Sequence, residues 1–172
     1  METDMNVNKA LPTHNLSIYV ANRPGALVRI SQAFSLRGFN IESLVVSPGA
    51  LGDFSRMTIT AKGNQEGLEQ IIKQCTKLVD VIACREHSDE EVVARELALV
   101  KVAIDPEHRE LVLQIADHFH AKTVDFNENS LVLEATGSSE KLDAMVNLLR
   151  KYKIIELVRT GKVIMARGDR QT

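Results

Sequence analysis

The chain has 172 residues, of which 44% are hydrophobic and 26% are charged, and its formal net charge is −2. This composition is typical of a globular protein with one medium domain or two small ones, and the near-neutral charge offers no global field for nucleic acid or an acidic membrane. The absence of Trp, with only 4% aromatic residues, also argues against a stacking platform for single-stranded nucleic acid.

The sequence predicts neither a membrane-spanning segment nor an N-terminal secretion signal. No apolar run approaches the length that spans a bilayer, and the N-terminus is polar and acidic, without the basic start and apolar centre of a signal peptide. Residues 1–13 are interpreted as a flexible leader. Cys75 and Cys84 lie within apolar patterns, which indicates buried thiols in a reducing compartment. We therefore expect a cytoplasmic protein.

The first predicted elements are a strand, a tight loop and a helix. Leu16, Ile18 and Val20 alternate on one face of the strand. Pro24 suits the first turn of a helix, because its missing N–H would have no intrahelical partner there. Gly25 has no Cβ and leaves the free N–H groups of that turn accessible. Together they predict an anion site at a helix N-terminus.

The helix that follows has an apolar stripe and a clear end. Leu27, Ile30 and Phe34 recur at i, i+3 and i+7 and predict its core-facing side. Gly38 is typical of a helix C-terminus. A second strand begins near Asn40 and continues to Val46.

The rest of the first half completes a βαββαβ order. A loop over 47–53 leads to a third strand over 54–61, a second helix follows, and a fourth strand covers 78–84. The second helix carries a complete apolar face at i, i+3, i+4 and i+7, formed by Leu68, Ile71, Ile72 and Cys75. The charged residues 88–95 are interpreted as a linker.

The same order returns in the second half. A strand over 96–104 precedes Asp105 and Pro106, which predict a capped helix beginning at Pro106. A hairpin turn over 127–129 separates two short strands, Ser138 caps a further helix, a strand covers 154–158, and 162–166 can add one more. The predicted inward faces of the two helices are Leu111, Val112, Ile115 and Phe119, and Leu142, Met145, Val146 and Leu149.

The two halves therefore resemble a tandem repeat. Pro24 and Pro106 are 82 residues apart, whereas the later helices are offset by 74. The missing 8 residues belong to the connection between the second and third strands, where 47–53 replaces a tight turn. The predicted fold class is α+β, with tandem ferredoxin-like βαββαβ domains.

A free amino acid needs few contacts, and the first half supplies candidates for them. Backbone N–H groups of Gly25, Ala26 and Leu27 suit a carboxylate, and the amide oxygens of Asn22 and Asn40 suit an ammonium group. Taken singly, Asn22 is as well explained as a turn residue, and Asn40 as the residue after a helix cap. Only the first half has the Pro-Gly pair, because the second has Pro106-Glu107.

Catalytic motifs find little support in the sequence. No phosphate-cradling glycine loop, nucleophile elbow or zinc-spaced Cys/His set is present. His108, His118 and His120 form the closest approach to a constellation. A small metal-dependent enzyme built on them remains an alternative, although cations near a helix C-terminus are the simpler explanation.

The second strand also predicts self-association. In the 4-1-3-2 sheet order of this fold, the second strand lies at the edge. Residues 41–46 carry few of the charged or proline protections that exposed edges need. Pairing with a second copy would cover this edge and form a two-fold dimer.

Several motifs resemble one known family. The run Asn22-x-Pro24-Gly25-Ala26-Leu27, followed by Arg37-Gly-Phe-Asn-Ile-Glu-Ser-Leu44, resembles the ACT domain, an amino-acid-sensing module. More narrowly, it resembles the small regulatory subunit of acetohydroxyacid synthase, also called acetolactate synthase. Further similar segments are 55–59, 77–81, 95–101, Gly161 and 167–169.

The resemblance implies the domain layout and the role of the chain. An ACT domain would occupy 14–87, a linker 88–95 and a C-terminal ferredoxin-like domain 96–172. The chain would have no catalytic site and would need no cofactor or metal. It would form a homodimer through the ACT domain and stimulate a catalytic large subunit that carries thiamine diphosphate, magnesium and FAD. It would also transmit feedback inhibition by a branched-chain amino acid, usually valine.

The resemblance also implies the effector contacts. They map onto Asn22, Gly25, Ala26, Leu27, Asn40 and Ile41, with the two groups meeting across the dimer interface. Many relatives carry Thr where this chain has Val45, so a polar contact at that position is not implied. A stand-alone ACT-type sensor for another enzyme or a transcription factor remains the alternative function.

Overall fold

The computed structural model describes residues 11–49 and 52–172 and divides into two units, residues 1–88 and 89–172. Within these residues, each unit is an antiparallel sheet with two helices, and the sheet has four strands in the first unit and five in the second. Most of the predicted leader, residues 1–10, lies outside the described residues.

The first unit has the predicted βαββαβ order. Its elements are β1 (Thr13–Ala21), α1 (Ala26–Ser35), β2 (Asn40–Pro48), β3 (Phe54–Lys62), α2 (Gln65–Cys75) and β4 (Val81–His87). The sheet order is β2-β3-β1-β4, with antiparallel pairing throughout. The position of β2 at the end of this order agrees with the predicted edge strand.

The core of the first unit lies between this sheet and its two helices. Leu16, Ile18 and Val20 are fully buried in this core, as predicted, and the polar residues Asn15 and Ser17 between and beside them are buried as well. On α2, Leu68, Ile71 and Cys75 are buried and Ile72 packs against them. Asn64 caps α2 by accepting a hydrogen bond from the Gly67 N–H at 2.7 Å.

The prediction for α1 was partly wrong. Its buried residues are Ala26, Ile30, Ala33 and Phe34, whereas Leu27 is 39% exposed. A stripe that begins at 26 or at 27 reaches Ile30 and Phe34 with helical spacing, so apolar character alone could not separate the two.

The second unit repeats the same architecture. Its elements are β5 (Val92–Ala103), α3 (Arg109–His118), β6 (Lys122–Phe126), β7 (Ser130–Gly137), α4 (Ser139–Leu149), β8 (Ile154–Arg159) and β9 (Val163–Ala166). The order β6-β7-β5-β8 matches that of the first sheet, and β9 pairs with the early part of β5. Leu142, Met145, Val146 and Leu149 are buried as predicted.

The repeat extends to the irregularities of the strands. The register between β1 and β4 shifts after Tyr19, and that between β5 and β8 shifts after Lys101, 82 residues later. The β2–β3 register shifts after Ile41, and the β6–β7 register shifts after Thr123, again 82 residues later. Such bulges are specific backbone features rather than noise, so their shared positions support the duplication.

The second unit also contains two departures from the predicted elements. β5 begins at Val92, within the segment interpreted as a linker, because 92–95 pair with β9. α3 begins at Arg109 rather than Pro106, since residues 106–108 form a turn whose His108 N–H donates to Asp105 at 2.8 Å. On α3, Leu111 is exposed while Val112 and Ala116 are buried, and Phe119, which follows the helix, is also buried.

Cys75 and Cys84 are both free and buried, as predicted. The two thiols are hydrogen-bonded to each other within the first core. This contact, together with burial, raises the pKa of the Cys84 thiol above its ordinary value. Cys84 is therefore protonated at neutral pH and is a poor nucleophile.

Candidate functional site

The predicted anion site lies at a turn between β1 and α1. Gly25 has φ 84° and ψ −10°, the values that the third residue of a type II turn requires, and Pro24 precedes it as such turns favour. The Ala26 N–H donates to the Arg23 carbonyl at 3.3 Å and closes the turn. Pro24 therefore belongs to the turn and is not the first helical residue, which corrects the sequence-based prediction.

The N-terminus of α1 is open. Gly25 is its N-cap and offers no side-chain oxygen, and no acidic residue lies in the first turn. Within residues 11–49 and 52–172, no acceptor contacts the backbone N–H groups of Gly25, Leu27 or Val28. Of the predicted donors, the Ala26 N–H is thus already used in the turn. The Val28 N–H is a free donor that the sequence analysis did not include. The free donors and the positive end of the helix dipole favour an anion here.

A cation that the sequence analysis did not identify lies beside this turn. A Cβ built on Gly25 would be 3.0 Å from Nη1 of Arg29. The same guanidinium forms an ion pair with Asp80 through Nη2, and the Asp80 carbonyl accepts a hydrogen bond from the Ala21 N–H at 2.7 Å. Asp80 is buried. The ion pair therefore joins the start of α1 to the end of β1 and the start of β4.

Asn22 lies at the same end of the sheet. Its backbone N–H donates to the Asp53 carbonyl at 2.8 Å, and its Nδ2 donates to the Gly52 carbonyl at 3.4 Å. The side chain is exposed, and within the described part of the chain its amide oxygen has no donor. That oxygen is the atom predicted to accept from an ammonium group.

Asn40 and Ile41 lie at the opposite end of the sheet. Asn40 pairs with Lys62, which pairs with Thr13 at the start of β1. The glycine turn follows Ala21 at the other end of β1. Eight residue steps along a strand correspond to about 26 Å. One chain therefore brings Asn22, Gly25, Ala26 and Leu27 together but does not bring them near Asn40.

The side chain of Asn40 is held by a small polar network. Its Nδ2 donates to Glu42 Oε1 at 3.0 Å, and Lys62 Nζ contacts Glu42 Oε2 at 3.2 Å. The hydrogen bond from Asn40, with Lys62 close by, holds the pKa of Glu42 below its ordinary value. With its NH₂ group oriented toward Glu42, Asn40 presents its amide oxygen as an acceptor. Ile41 packs against the first core.

The outer side of β2 is unpaired in the described residues, since β3 is the only strand bonded to it there. Val46 at this edge is 45% exposed. An apolar strand edge with free backbone groups is a template for another strand.

The three histidines do not converge. His108 precedes α3 and contacts Asp105, whereas His118 ends that helix. Ten residues of helix place them on the order of 15 Å apart along the axis. Asp105 raises the pKa of His108 above its ordinary value. Across the described residues, no group of three His, Cys, Asp or Glu side chains is placed to hold a metal ion.

A network of charged and polar side chains connects several elements of the second unit. The buried Glu96 carboxylate accepts from Arg159 Nε at 2.6 Å and from the Ser139 hydroxyl. Arg159 Nη2 also donates to the Ser139 carbonyl at 3.2 Å. The network joins β5, β8 and the start of α4. A cavity of about 160 Å³ lies beside it.

No helix in the part of the chain that the structure describes is long and apolar enough to cross a membrane.

Comparisons with known proteins cover both units. Residues 16–83 match a family described as the AHAS small subunit-like ACT domain, and residues 95–168 match one described as the small subunit of acetolactate synthase. An acetolactate synthase small subunit from Mycolicibacterium smegmatis is 44% identical, over 95% of this chain and 96% of the relative. A probable acetolactate synthase small subunit from Archaeoglobus fulgidus is 42% identical, over 92% and 99%.

A solved structure extends this similarity to three dimensions. The crystal structure of an acetolactate synthase small subunit from Thermotoga maritima matches with a TM-score of 0.85 and 35% identity, over 92% of this chain and 99% of that one. The similarity therefore extends to the fold of both units.

Proposed function

Because this chain belongs to the acetolactate synthase small-subunit family, we propose that it is the regulatory partner of a catalytic large subunit and conveys feedback inhibition by a branched-chain amino acid, with valine the expected effector. The chemistry of the synthase, with thiamine diphosphate, magnesium and FAD, is assigned to the large subunit. The role of the small subunit is to raise the synthase activity of the large subunit when no effector is bound, and to lower this activity when the effector binds. The observation that carries the effector site is the open α1 N-terminus at Gly25.

The effector contacts proposed are Asn22, Gly25, Ala26, Leu27, Asn40 and Ile41. The carboxylate would accept from the first-turn N–H groups, and the ammonium group would donate to amide oxygens. Since Asn40 lies at the far end of its own sheet, the Asn40 that completes the site has to come from a second chain.

Pairing of β2 with its own copy would supply that second chain. In an antiparallel, two-fold pair centred near Leu44, the start of one β2 meets the end of the other. The end of β2 at Pro48 pairs with Ser55, on the side of the sheet where Ala21 and Asn22 lie. Asn40 of one chain would thus approach the glycine turn of its partner. Both the unpaired edge and the distribution of the candidate residues support this dimer.

The proposed domains follow the two units. The sensing domain is assigned to residues 14–87 and the second ferredoxin-like domain to 96–172, with 1–13 as a leader. Residues 88–95 lie between the two, and 92–95 of these already belong to β5. Cytoplasmic localisation is also proposed, since the free thiols Cys75 and Cys84 suit a reducing compartment.

The decisive experiment is reconstitution with the catalytic large subunit from the same organism. We expect the small subunit to co-purify with it, to raise acetolactate formation, and to make that activity sensitive to valine. The large subunit alone should be slower and insensitive. Valine binding without any association with the large subunit would instead indicate a stand-alone sensor for another protein.

Substituting Asn40 tests the ammonium side of the site. Asn40→Ala removes one hydrogen bond to a charged group, worth roughly 1.5–3 kcal/mol. We expect the valine concentration for half inhibition to rise by roughly 10- to 100-fold, with maximal stimulation unchanged. Glu42→Gln is the matched control, since it alters the partner of Asn40 without removing the amide. Equal inhibition curves for Asn40→Ala and the unaltered protein would contradict the role of Asn40.

A further inference from the structure

We infer that Arg29 binds the effector carboxylate and makes the site selective for free amino acids over their neutral amides. This inference rests on the proposed effector site and adds a residue to it. Backbone N–H groups donate to any carbonyl-like oxygen, so the turn and the helix start cannot by themselves select for a charged group. A guanidinium can, because its hydrogen bonds to a carboxylate are charge-assisted and roughly twice as strong as neutral ones.

The position of the Arg29 side chain supports this role. Arg29 lies one helical turn after Gly25, and its backbone N–H donates to the Gly25 carbonyl at 3.1 Å. Side chains on a helix lean toward its N-terminus, and here Nη1 lies only 3.0 Å from the point where a Gly25 Cβ would be. A cation therefore lies next to the turn whose backbone donors are free among the described residues.

The ion pair with Asp80 holds the guanidinium in place and leaves donors free. Asp80 engages Nη2, while Nη1 has no acceptor within residues 11–49 and 52–172. A guanidinium carries five N–H donors in a planar fork. The Arg29 guanidinium can therefore donate to the Asp80 carboxylate and to a second carboxylate at the same time. The Asp80 side chain is 10% exposed and that of Arg29 is 45% exposed, so the buried acid anchors the cation and the cation faces the open side.

The binding of L-valine and L-valinamide to the full-length protein, measured by calorimetry, tests this inference. The two ligands differ only in the charge and donor pattern of the carboxyl end. We expect the unaltered protein to prefer valine. In Arg29→Gln, valine should bind roughly 10- to 100-fold more weakly, and the preference over valinamide should fall by a similar factor.

Two further variants control for folding and for general electrostatics. Arg29→Lys keeps a cation for Asp80, but a single ammonium cannot offer the planar fork, so the preference should fall several-fold in a stably folded protein. Arg23→Gln removes an exposed positive charge from the same turn without touching Gly25, and the preference should change less than about twofold.

Each outcome separates the inference from the site on which it rests. An unchanged valine-to-valinamide preference in folded, dimeric Arg29→Gln and Arg29→Lys would overturn the role of Arg29 and leave the site intact. An equal fall in Arg23→Gln would also overturn it, because the effect would then be one of net charge. No binding of valine to the unaltered protein would overturn the effector site and the role of Arg29 together.

Discussion

Replacing Gly25 with aspartate is expected to abolish feedback inhibition by valine while leaving stimulation of the catalytic subunit largely intact. The new carboxylate would lie where the effector carboxylate must bind, and like charges at close range in a partly desolvated site repel by on the order of kilocalories per mole. It would also lie within reach of Arg29 Nη1, which is 3.0 Å from the Cβ position. The variant would therefore fill its own anion site. Activity of the reconstituted enzyme, titrated with valine, is the measurement.

The backbone of Gly25 makes a matched control necessary. At φ 84° any side chain introduces strain of roughly 1–3 kcal/mol, so a loss of stability has to be separated from a loss of binding. Gly25→Asn has nearly the same size and also tolerates the left-handed region but carries no charge, and we expect weakened rather than abolished inhibition. Gly168→Asp carries the same substitution at φ 68°, with nothing within 4 Å of the new Cβ. The enzyme reconstituted with this variant should be inhibited by valine to the normal extent. Full valine sensitivity in Gly25→Asp would show that the effector binds elsewhere.

Placing like charges around the centre of β2 is expected to convert the protein to monomers. Ser43 and Val45 flank the midpoint of the strand and lie on one face of it, since they pair with Thr60 and Thr58. In Ser43→Lys/Val45→Lys, four lysines would surround the two-fold axis. Like charges opposite each other in a sheet cost up to about 1 kcal/mol per pair, and two such pairs would form, so we expect the dimer dissociation constant to rise by up to roughly 30-fold. Sedimentation at micromolar concentration checks this.

The complementary variant makes this test specific. Ser43→Glu/Val45→Glu should also be monomeric alone, and an equal mixture of the two variants should recover both the dimer and valine binding. Recovery on mixing cannot be explained by misfolding of either variant. A dimer that persists in both charged variants, or an unaltered protein that sediments as a monomer, would count against association through β2.

Patterns of burial were predictable wherever the period was unambiguous. Leu16, Ile18 and Val20 alternate as one face of a strand does, and all three are completely buried in the first core. The helix starts were less predictable. Proline suits both the first helical position and the second position of a turn. Pro24 and Pro106 both lie in turns that precede the helices α1 and α3.

The candidate site was predictable only in its local part. Asn22 and Gly25 are close in sequence, so their proximity follows from a short turn. Arg29 and Asp80 are 51 residues apart, and in the sequence each has the character of an ordinary surface charge. Only the folding of the first unit, which places the residue before β4 beside α1, brings them together next to Gly25. The early start of β5 at Val92 was not predictable for the same reason, because it depends on pairing with β9, which is distant in sequence.

The separation of Asn40 from the glycine turn within one chain has a thermodynamic consequence. If each site needs two chains, effector binding and assembly are linked equilibria, and a dimer with two sites gains stability from both of them as the free effector concentration rises above its dissociation constant. The apparent potency of the effector then depends on subunit concentration and falls on dilution. A cell that makes more of this subunit would obtain a more sensitive response to the same amount of amino acid without any change in the site itself.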